Sequence, residues 1–85
     1  MKSFEFTVQD PAGMHARPAG LLVKKAKEYE SKVVIHFGGK SADSGRMMAI
    51  MSLGVKQGDT VTVEVDGADE EKAAAEMEAF FKENL

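Results

Sequence analysis

The sequence predicts an α+β domain with the element order β-α-β-β-α-β-α, in which a four-stranded antiparallel sheet carries three helices on one face. Apolar and polar residues alternate in segments 2–8, 32–37 and 60–65, which is the pattern of half-buried strands. Two longer segments, 16–29 and 70–84, repeat apolar residues at helical spacing. Helices packed on a single face of one sheet bury all of these apolar stripes together. The 85 residues contain no linker or repeat, so residues 1–85 form one domain.

The first strand and the first helix are joined by a short turn. After strand 2–8, residues 10–13 read Asp-Pro-Ala-Gly, in which proline fixes one dihedral angle and glycine permits a positive φ. Pro18 fits only in the first turn of a helix, where its missing N–H costs no hydrogen bond. The helix 16–29 therefore starts near residue 16, with His15 at its cap. Its inner face is formed by Ala19, Leu22, Val23 and Ala26.

The middle of the chain is predicted to contain three short elements and the clearest strand. A second strand covers 32–37, and Gly38-Gly39 turns the chain into a third strand at 40–42. The apolar stretch 47–53 lies between two glycines and is predicted as a short helix. Valines alternate through 60–65, which is typical of a strand.

The last helix is predicted to begin at Asp69. Aspartate is a favoured N-cap, and the acidic side chains of Glu70 and Glu71 suit the positive end of the helix dipole. The inner stripe of this helix is predicted from its apolar spacing, with Asn84 as its weakest member: Ala73, Met77, Phe80 and Asn84.

Composition excludes several classes of function. The absence of cysteine rules out disulfides, thiolate catalysis and cysteine-ligated metal sites. The net charge of −3 disfavours non-specific nucleic-acid binding. No apolar run reaches the roughly 20 residues of a membrane helix, and the start MKSFEFTVQD lacks the apolar stretch of a signal peptide. We therefore expect a cytoplasmic protein without membrane insertion.

Residues 13–20, GMHARPAG, combine a histidine with an anion site. The first backbone N–H groups of the helix, from Ala16 onward, have no acceptor inside the helix, and the helix dipole favours an anion beside His15. The Arg17 guanidinium offers a fork of donors to phosphate oxygens, and Pro18 fixes the turn. The simpler interpretation carries equal weight from chemistry alone: a capping histidine beside an arginine that pairs with a carboxylate. No carboxylate, serine or second histidine lies nearby in sequence to complete a hydrolytic triad.

The second histidine, His36, is expected on the solvent side of its strand. Its neighbours Val33, Ile35 and Phe37 belong to the opposite face. His15 and His36 lack the spacing of metal ligands with a third partner, so we expect neither a metal site nor a cofactor.

The motif GMHARPAG resembles the active-site motif of the HPr family, the histidine-containing phosphocarriers of the bacterial sugar phosphotransferase system. The similarity continues in LLVKKAKEY, GGKSA, MSLGVKQGDTVTV and GADEEKA, and so covers the whole chain. The resemblance implies an open-faced β-sandwich and a phosphoryl group carried on Nδ1 of His15, with Arg17 contacting the phosphate. It implies enzyme I as donor and IIA proteins or domains of sugar transporters as acceptors. It also implies a carrier that both partners use as a substrate, not an enzyme.

The resemblance also implies a docking surface on the first two helices. Methionine repacks readily against different partners, and in the family the short second helix flanks the histidine. Lys24, Lys27 and Arg17 would form a basic rim that attracts acidic partners. The residues expected in this surface are Gly20, Leu21, Lys24, Lys27, Met47, Met48, Met51, Ser52, Leu53 and Gly54.

Arg46 stands where some HPr proteins have a regulatory serine that a kinase phosphorylates. We therefore expect serine-based regulation to be absent or altered in this chain. Three alternatives stay open: a regulatory paralogue, a phosphorelay carrier outside sugar uptake, and a small nucleic-acid binder, the last disfavoured by the charge. A carrier that meets two partners in turn is expected to be a monomer.

Overall fold

The computed structural model describes all 85 residues and has the predicted order of elements. The α+β fold class is therefore confirmed. No helix of the chain combines the length and the apolar character needed to cross a membrane. The elements are β1 Lys2–Thr7, α1 Ala16–Ala26, β2 Lys32–Phe37, β3 Lys40–Asp43, α2 Met47–Ser52, β4 Thr60–Asp66 and α3 Glu70–Asn84.

The four strands form one sheet in the order β1-β4-β2-β3, and each neighbouring pair is antiparallel. The register places Phe4 opposite Val63, Val63 opposite Ile35, and Ile35 opposite Ala42. This row of apolar side chains faces the helices. The polar residues that alternate with it line the other face, which no element covers, so the sheet has one open face.

Each helix contributes at least one fully buried large side chain to the core. These are Leu22 from α1, Ile50 from α2 and Phe81 from α3. The Phe81 ring packs edge-on against Phe4 and Phe6, with centroid distances of 5.8 and 5.5 Å. Full burial of such a side chain contributes roughly 1.5–3 kcal/mol to folding, so these residues fix the helices to the sheet.

The helix α1 is shorter than predicted and ends at Ala26 instead of residue 29. The next residues form a tight turn, in which the N–H of Glu28 donates to Lys25 and that of Tyr29 donates to Ala26. Beyond this turn, the backbone N–H groups of Glu30 and Ser31 donate to the Asp69 carboxylate. The chain leaves the helix early because these bonds direct it toward β2. Helix α2 was predicted to end at residue 53 and ends at Ser52, a difference of one residue.

The predicted inner stripe of α3 is wrong at two of its four positions, Phe80 and Asn84. Phe81, and not Phe80, is fully buried, while Phe80 is partly exposed and packs at the edge of the core. The buried positions Ala73, Met77 and Phe81 are spaced by four residues. Asn84 lies outside this stripe, and its side chain donates to the Phe80 carbonyl oxygen at 3.0 Å.

Asp69 occupies the predicted N-cap position of α3, but its side chain does not cap the helix. Its carboxylate instead accepts three hydrogen bonds from the two residues just before β2: one from the Glu30 N–H, and one each from the N–H and the hydroxyl of Ser31. The Glu70 carboxylate reaches back to the Gly67 N–H at 3.2 Å. The aspartate therefore joins two elements distant in sequence and does not serve the helix alone.

Candidate functional site

His15 is the N-cap residue of α1, as the sequence predicts. Its backbone is extended, with φ −94° and ψ −175°, and its side chain makes no capping hydrogen bond. Its carbonyl oxygen accepts the N–H of Ala19 at 3.0 Å, which starts the helical hydrogen-bond ladder. The amides of Ala16 and Arg17 come before that first bond and have no acceptor within the helix. The side chain is 36% exposed, so the imidazole is accessible to a partner.

The loop before His15 is fixed by a close approach to the segment after α2. Gly13 has φ 66°, and a Cβ atom at this position would lie 2.7 Å from the Cα atom of Lys56. The N–H of Met14 donates to the Val55 carbonyl oxygen at 3.0 Å. Glycine is therefore required at position 13 by both its backbone conformation and the lack of space.

The structure adds a residue to the site that sequence reasoning missed. One carboxylate oxygen of Asp10, Oδ2, lies 3.5 Å from Nε2 of His15 and 4.0 Å from Nη2 of Arg17. No carboxylate near His15 in sequence was expected to complete a triad, and Asp10, five positions before the histidine, was overlooked. The turn at residues 10–13 folds Asp10 back onto the helix start, and the Asp-Pro-Ala-Gly pattern of that turn was the signal that could have found it.

Three hydrogen bonds hold Asp10 in place. Its second carboxylate oxygen, Oδ1, accepts the N–H of Ala12 at 2.8 Å. Its backbone carbonyl accepts the N–H of Gly13, and its own N–H donates to Leu85 at 2.7 Å. The Ala12 bond is the main cause that lowers the pKa of Asp10, and the neighbouring His15 and Arg17 lower it further. A half-buried, ionised carboxylate, 17% exposed, therefore stands beside the histidine at neutral pH.

Arg17 and Pro18 differ in what they offer a phosphate. Arg17 is 65% exposed, and its only ion-pair contact is the long one to Asp10, so its guanidinium is free to turn toward an anion. Pro18 is fully buried and has no N–H, so it supplies the shape of the first turn and no contact of its own.

Four exposed apolar side chains lie together on α1 and α2. They are Leu21, Met47, Met48 and Met51, and we call them the methionine patch. Apart from Met1 they are the exposed large hydrophobic residues of the chain, and Met48 is 75% exposed. The two helices meet at Gly20, where a Cβ atom would lie 3.9 Å from Cε of Met47. Such clustering is typical of a surface that contacts other proteins.

The other predicted surface residues divide by burial. Lys24, Lys27, Ser52 and Gly54 are exposed, whereas Leu53 is 4% exposed and belongs to the core. Including the Leu53 side chain in the surface was wrong, because the chain turns inward at the end of α2 and Gly54 takes a positive φ of 70°. Arg46 is exposed at the start of α2 and forms no ion pair, and Ile50 is buried as predicted.

His36 lies on the open face of the sheet, as predicted, where its Nε2 contacts the Glu64 carboxylate. Its ion-pair contact is with this β4 residue, and it is not part of the group formed by Asp10, His15 and Arg17. No group of three or more His, Asp or Glu side chains is placed to hold a metal ion.

The chain matches a described protein family over nearly its whole length. Residues 2–83 match the family described as "PTS HPr component phosphorylation site". The chain is also 36% identical over 85 residues to the phosphocarrier protein HPr of Mycoplasma genitalium. The aligned region covers 99% of this chain and 97% of that protein.

Two solved structures give the same result at the level of the fold. The histidine-containing phosphocarrier protein of a Mycoplasma superposes with a TM-score of 0.92 at 28% identity, covering 96% of this chain and 93% of the other. HPr-C-His from Thermoanaerobacter tengcongensis superposes with a TM-score of 0.83 at 37% identity, and the match covers both chains completely.

Proposed function

Because the chain belongs to the HPr family of phosphocarrier proteins, we propose that it accepts a phosphoryl group on His15 and passes it to a second protein. Enzyme I is the donor in this proposal, and IIA proteins or domains of sugar transporters are the acceptors. The protein is then a substrate of both partners and not a catalyst, and it works in the cytoplasm. The observation that carries the proposal is the accessible imidazole at the N-terminus of α1, beside an arginine with no firm ion-pair partner.

The site fits a nucleophile that receives a phosphoryl group. A neutral imidazole nitrogen attacks phosphorus, and the transferred group brings about −1.5 to −2 charges to the end of the helix. The free amides of Ala16 and Arg17 and the positive end of the helix dipole favour that charge. The Arg17 side chain, largely exposed, adds charge-assisted hydrogen bonds to the phosphoryl oxygens.

Exposed placement of the site suits a carrier. The imidazole lies on the surface, where a partner can both deliver and remove the phosphoryl group. Stabilisation from one arginine and two amides is partial, because solvent screens charges at an exposed site. A deeply buried site with many donors would hold the group too firmly for transfer to the next protein.

We assign docking of both partners to the methionine patch and its surroundings. Flexible methionine side chains adapt to different surfaces, which suits a protein with two successive partners. Lys24 and Lys27 are exposed and form none of the salt bridges within the chain, so their charges are available to acidic partners. The protein acts as a monomer in this proposal, since each partner needs the same surface in turn.

The proposal is tested by phosphoryl transfer from phosphoenolpyruvate in the presence of enzyme I, followed by intact mass. We expect the gain of one acid-labile, base-stable phosphoryl group on the wild-type chain and none on His15→Ala. His36→Ala is the matched control and should accept the group as the wild type does. If the wild type gains nothing while the same enzyme I phosphorylates another carrier, the proposal is wrong.

A further inference from the structure

We infer that Asp10 is a positioning residue for the reaction of His15: its carboxylate lies beside Nε2, favours the proton on that nitrogen and leaves Nδ1 as the nucleophile. The inference rests on the function proposed above, and concerns a residue five positions before the histidine. The relevant geometry is the shared oxygen Oδ2 of Asp10, 3.5 Å from Nε2 of His15 and 4.0 Å from Nη2 of Arg17.

The carboxylate of Asp10 is placed before any ligand arrives. Its Oδ1 is fixed by the Ala12 N–H, and its backbone is fixed on both sides by Gly13 and Leu85. The remaining oxygen, Oδ2, therefore faces the two cationic or proton-bearing groups of the site. A carboxylate near one imidazole nitrogen favours the tautomer with the proton on that nitrogen, so the other nitrogen keeps its lone pair.

During transfer, Asp10 opposes the charge that develops on the ring. The bond from phosphorus to the donor breaks, and its electron pair stays with the donor, while the lone pair of Nδ1 forms the new bond to phosphorus. The proton stays on Nε2, so the imidazole ring becomes positively charged. The Asp10 carboxylate lies beside that nitrogen and stabilises the charged ring. In the reverse direction the same atoms return the ring to the neutral tautomer.

Asp10 also lies close to the Arg17 guanidinium in the free protein. The same Oδ2 oxygen lies within reach of the guanidinium, and the arrival of a phosphoryl group offers Arg17 better acceptors. The carboxylate is then left to the imidazole alone, at the stage at which the ring carries its positive charge.

The first test measures the tautomer of the neutral His15 ring by ¹⁵N NMR on the unphosphorylated chain, comparing wild type with Asp10→Asn. The asparagine oxygen satisfies the Ala12 N–H, so the turn persists and an NH₂ group replaces the oxygen that faces the imidazole. We expect the fraction of the Nδ1–H tautomer to rise about twofold or more in the variant. An unchanged fraction would overturn the inference.

The second test measures phosphoryl acceptance from enzyme I over a range of carrier concentrations. We expect kcat of Asp10→Asn to fall about fivefold while KM for the carrier is unchanged, because the docking surface is intact. Asp43→Asn is the matched control, since the Asp43 carboxylate accepts the Gly45 N–H at 2.8 Å in the same kind of turn and faces no histidine. A raised KM with unchanged kcat would make Asp10 a docking residue and overturn the inference.

A second variant tests whether the loss of the Asp10 charge, and not a change in the fold, lowers kcat. Asp10→Ser keeps a hydroxyl oxygen for the Ala12 N–H and should show the same loss of kcat, with far-ultraviolet circular dichroism confirming the fold. The tautomer measurement needs no donor protein, so it decides the role of Asp10 even where the wild type accepts no phosphoryl group. Failure of transfer in the wild type counts against the proposed function, and an unchanged tautomer counts against Asp10.

Discussion

Met14 donates its backbone N–H to the carbonyl oxygen of Val55 at 3.0 Å, and this bond joins the loop before His15 to the loop after α2. The neighbouring Gly13 has a positive φ and passes so close to Lys56 that a side chain has no space. The proposed phosphorylation site and the helix that carries most of the methionine patch are therefore connected through the backbone. A change at this contact should disturb both together.

Gly13→Ala is predicted to destabilise the protein and to slow phosphoryl acceptance. The new methyl group clashes with the backbone at Val55 and Lys56, and alanine resists a positive φ. We expect a loss of about 2–4 kcal/mol in the free energy of unfolding, measured by urea denaturation. Gly39→Ala is the control, because φ is 79° there but nothing lies within 4 Å of the new atom, and it should lose only about 1–2 kcal/mol. Equal losses in the two variants would show that the close approach is unimportant.

Met48→Glu is predicted to weaken docking without affecting the fold. Met48 is the most exposed member of the methionine patch, so a charge there costs little in the free protein but would be buried against a partner that docks as proposed. We expect the KM of enzyme I for the carrier to rise about tenfold, with kcat within about twofold of the wild type. Ala75→Glu introduces the same side chain at an exposed position of α3 and should leave both parameters unchanged. A similar rise in KM for the two variants would point to net charge and not to the patch.

Asp69→Asn is predicted to remove part of the acid dependence of stability. The hydroxyl of Ser31 and the amides of Glu30 and Ser31 lower the pKa of Asp69 below its ordinary value of 3.8. A lowered pKa means that this carboxylate stabilises the fold fully above pH 3.8 and that the stabilisation is lost as the pH falls through the folded-state pKa. The Tm difference between wild type and variant should therefore be largest near neutral pH and shrink in acid.

The matched control for that comparison is Glu83→Gln, which removes an exposed carboxylate that forms no ion pair or hydrogen bond within the chain. Its Tm should differ from the wild type by a small amount that does not grow toward neutral pH. A constant offset for Asp69→Asn across the pH range would show that its ionisation does not contribute to stability.

An HPr kinase is predicted to leave the segment before and within α2 unmodified. Arg46 occupies the start of α2, and the nearby Ser44 is fully buried. Ser52 is exposed, but its hydroxyl donates to the Met48 carbonyl oxygen at 2.7 Å in the last turn of the helix. We expect no phosphoserine by tandem mass spectrometry after treatment, whereas Arg46→Ser should create a modifiable residue. Phosphate on Ser44 or Ser52 of the wild type would contradict this prediction.

Local patterns were sufficient to predict most of the fold. Alternation of apolar residues placed β2 at 32–37 without error, and the constraint on Pro18 placed the start of α1 and His15 at its cap. These features depend on the backbone of neighbouring residues, which a sequence pattern reports directly. The methionine patch was also predicted, although its members were chosen with the help of the resemblance.

The errors arose where distant parts of the chain meet. The carboxylate of Asp69 binds Ser31 and Glu30, which lie just before β2 and precede it by 38 and 39 positions, so the rule for N-caps could not predict these bonds. Phe81, and not Phe80, lies in the core because the rings of Phe4 and Phe6 pack against the face of α3 that carries Phe81. Asp10 reaches His15 only after a turn reverses the chain. Tertiary contacts decided each of these positions.

The sheet order has a consequence for how the chain folds as it is synthesised. β4 is the last strand along the chain, yet it lies between β1 and β2 and is the only neighbour of β1. The first strand therefore leaves the ribosome long before its partner exists, and the helix that covers it, α3, emerges last. Contacts of such long sequence separation slow folding and favour a late, cooperative event. Until that event, both edges of β1 are unpaired and open to pairing with the strands of other chains.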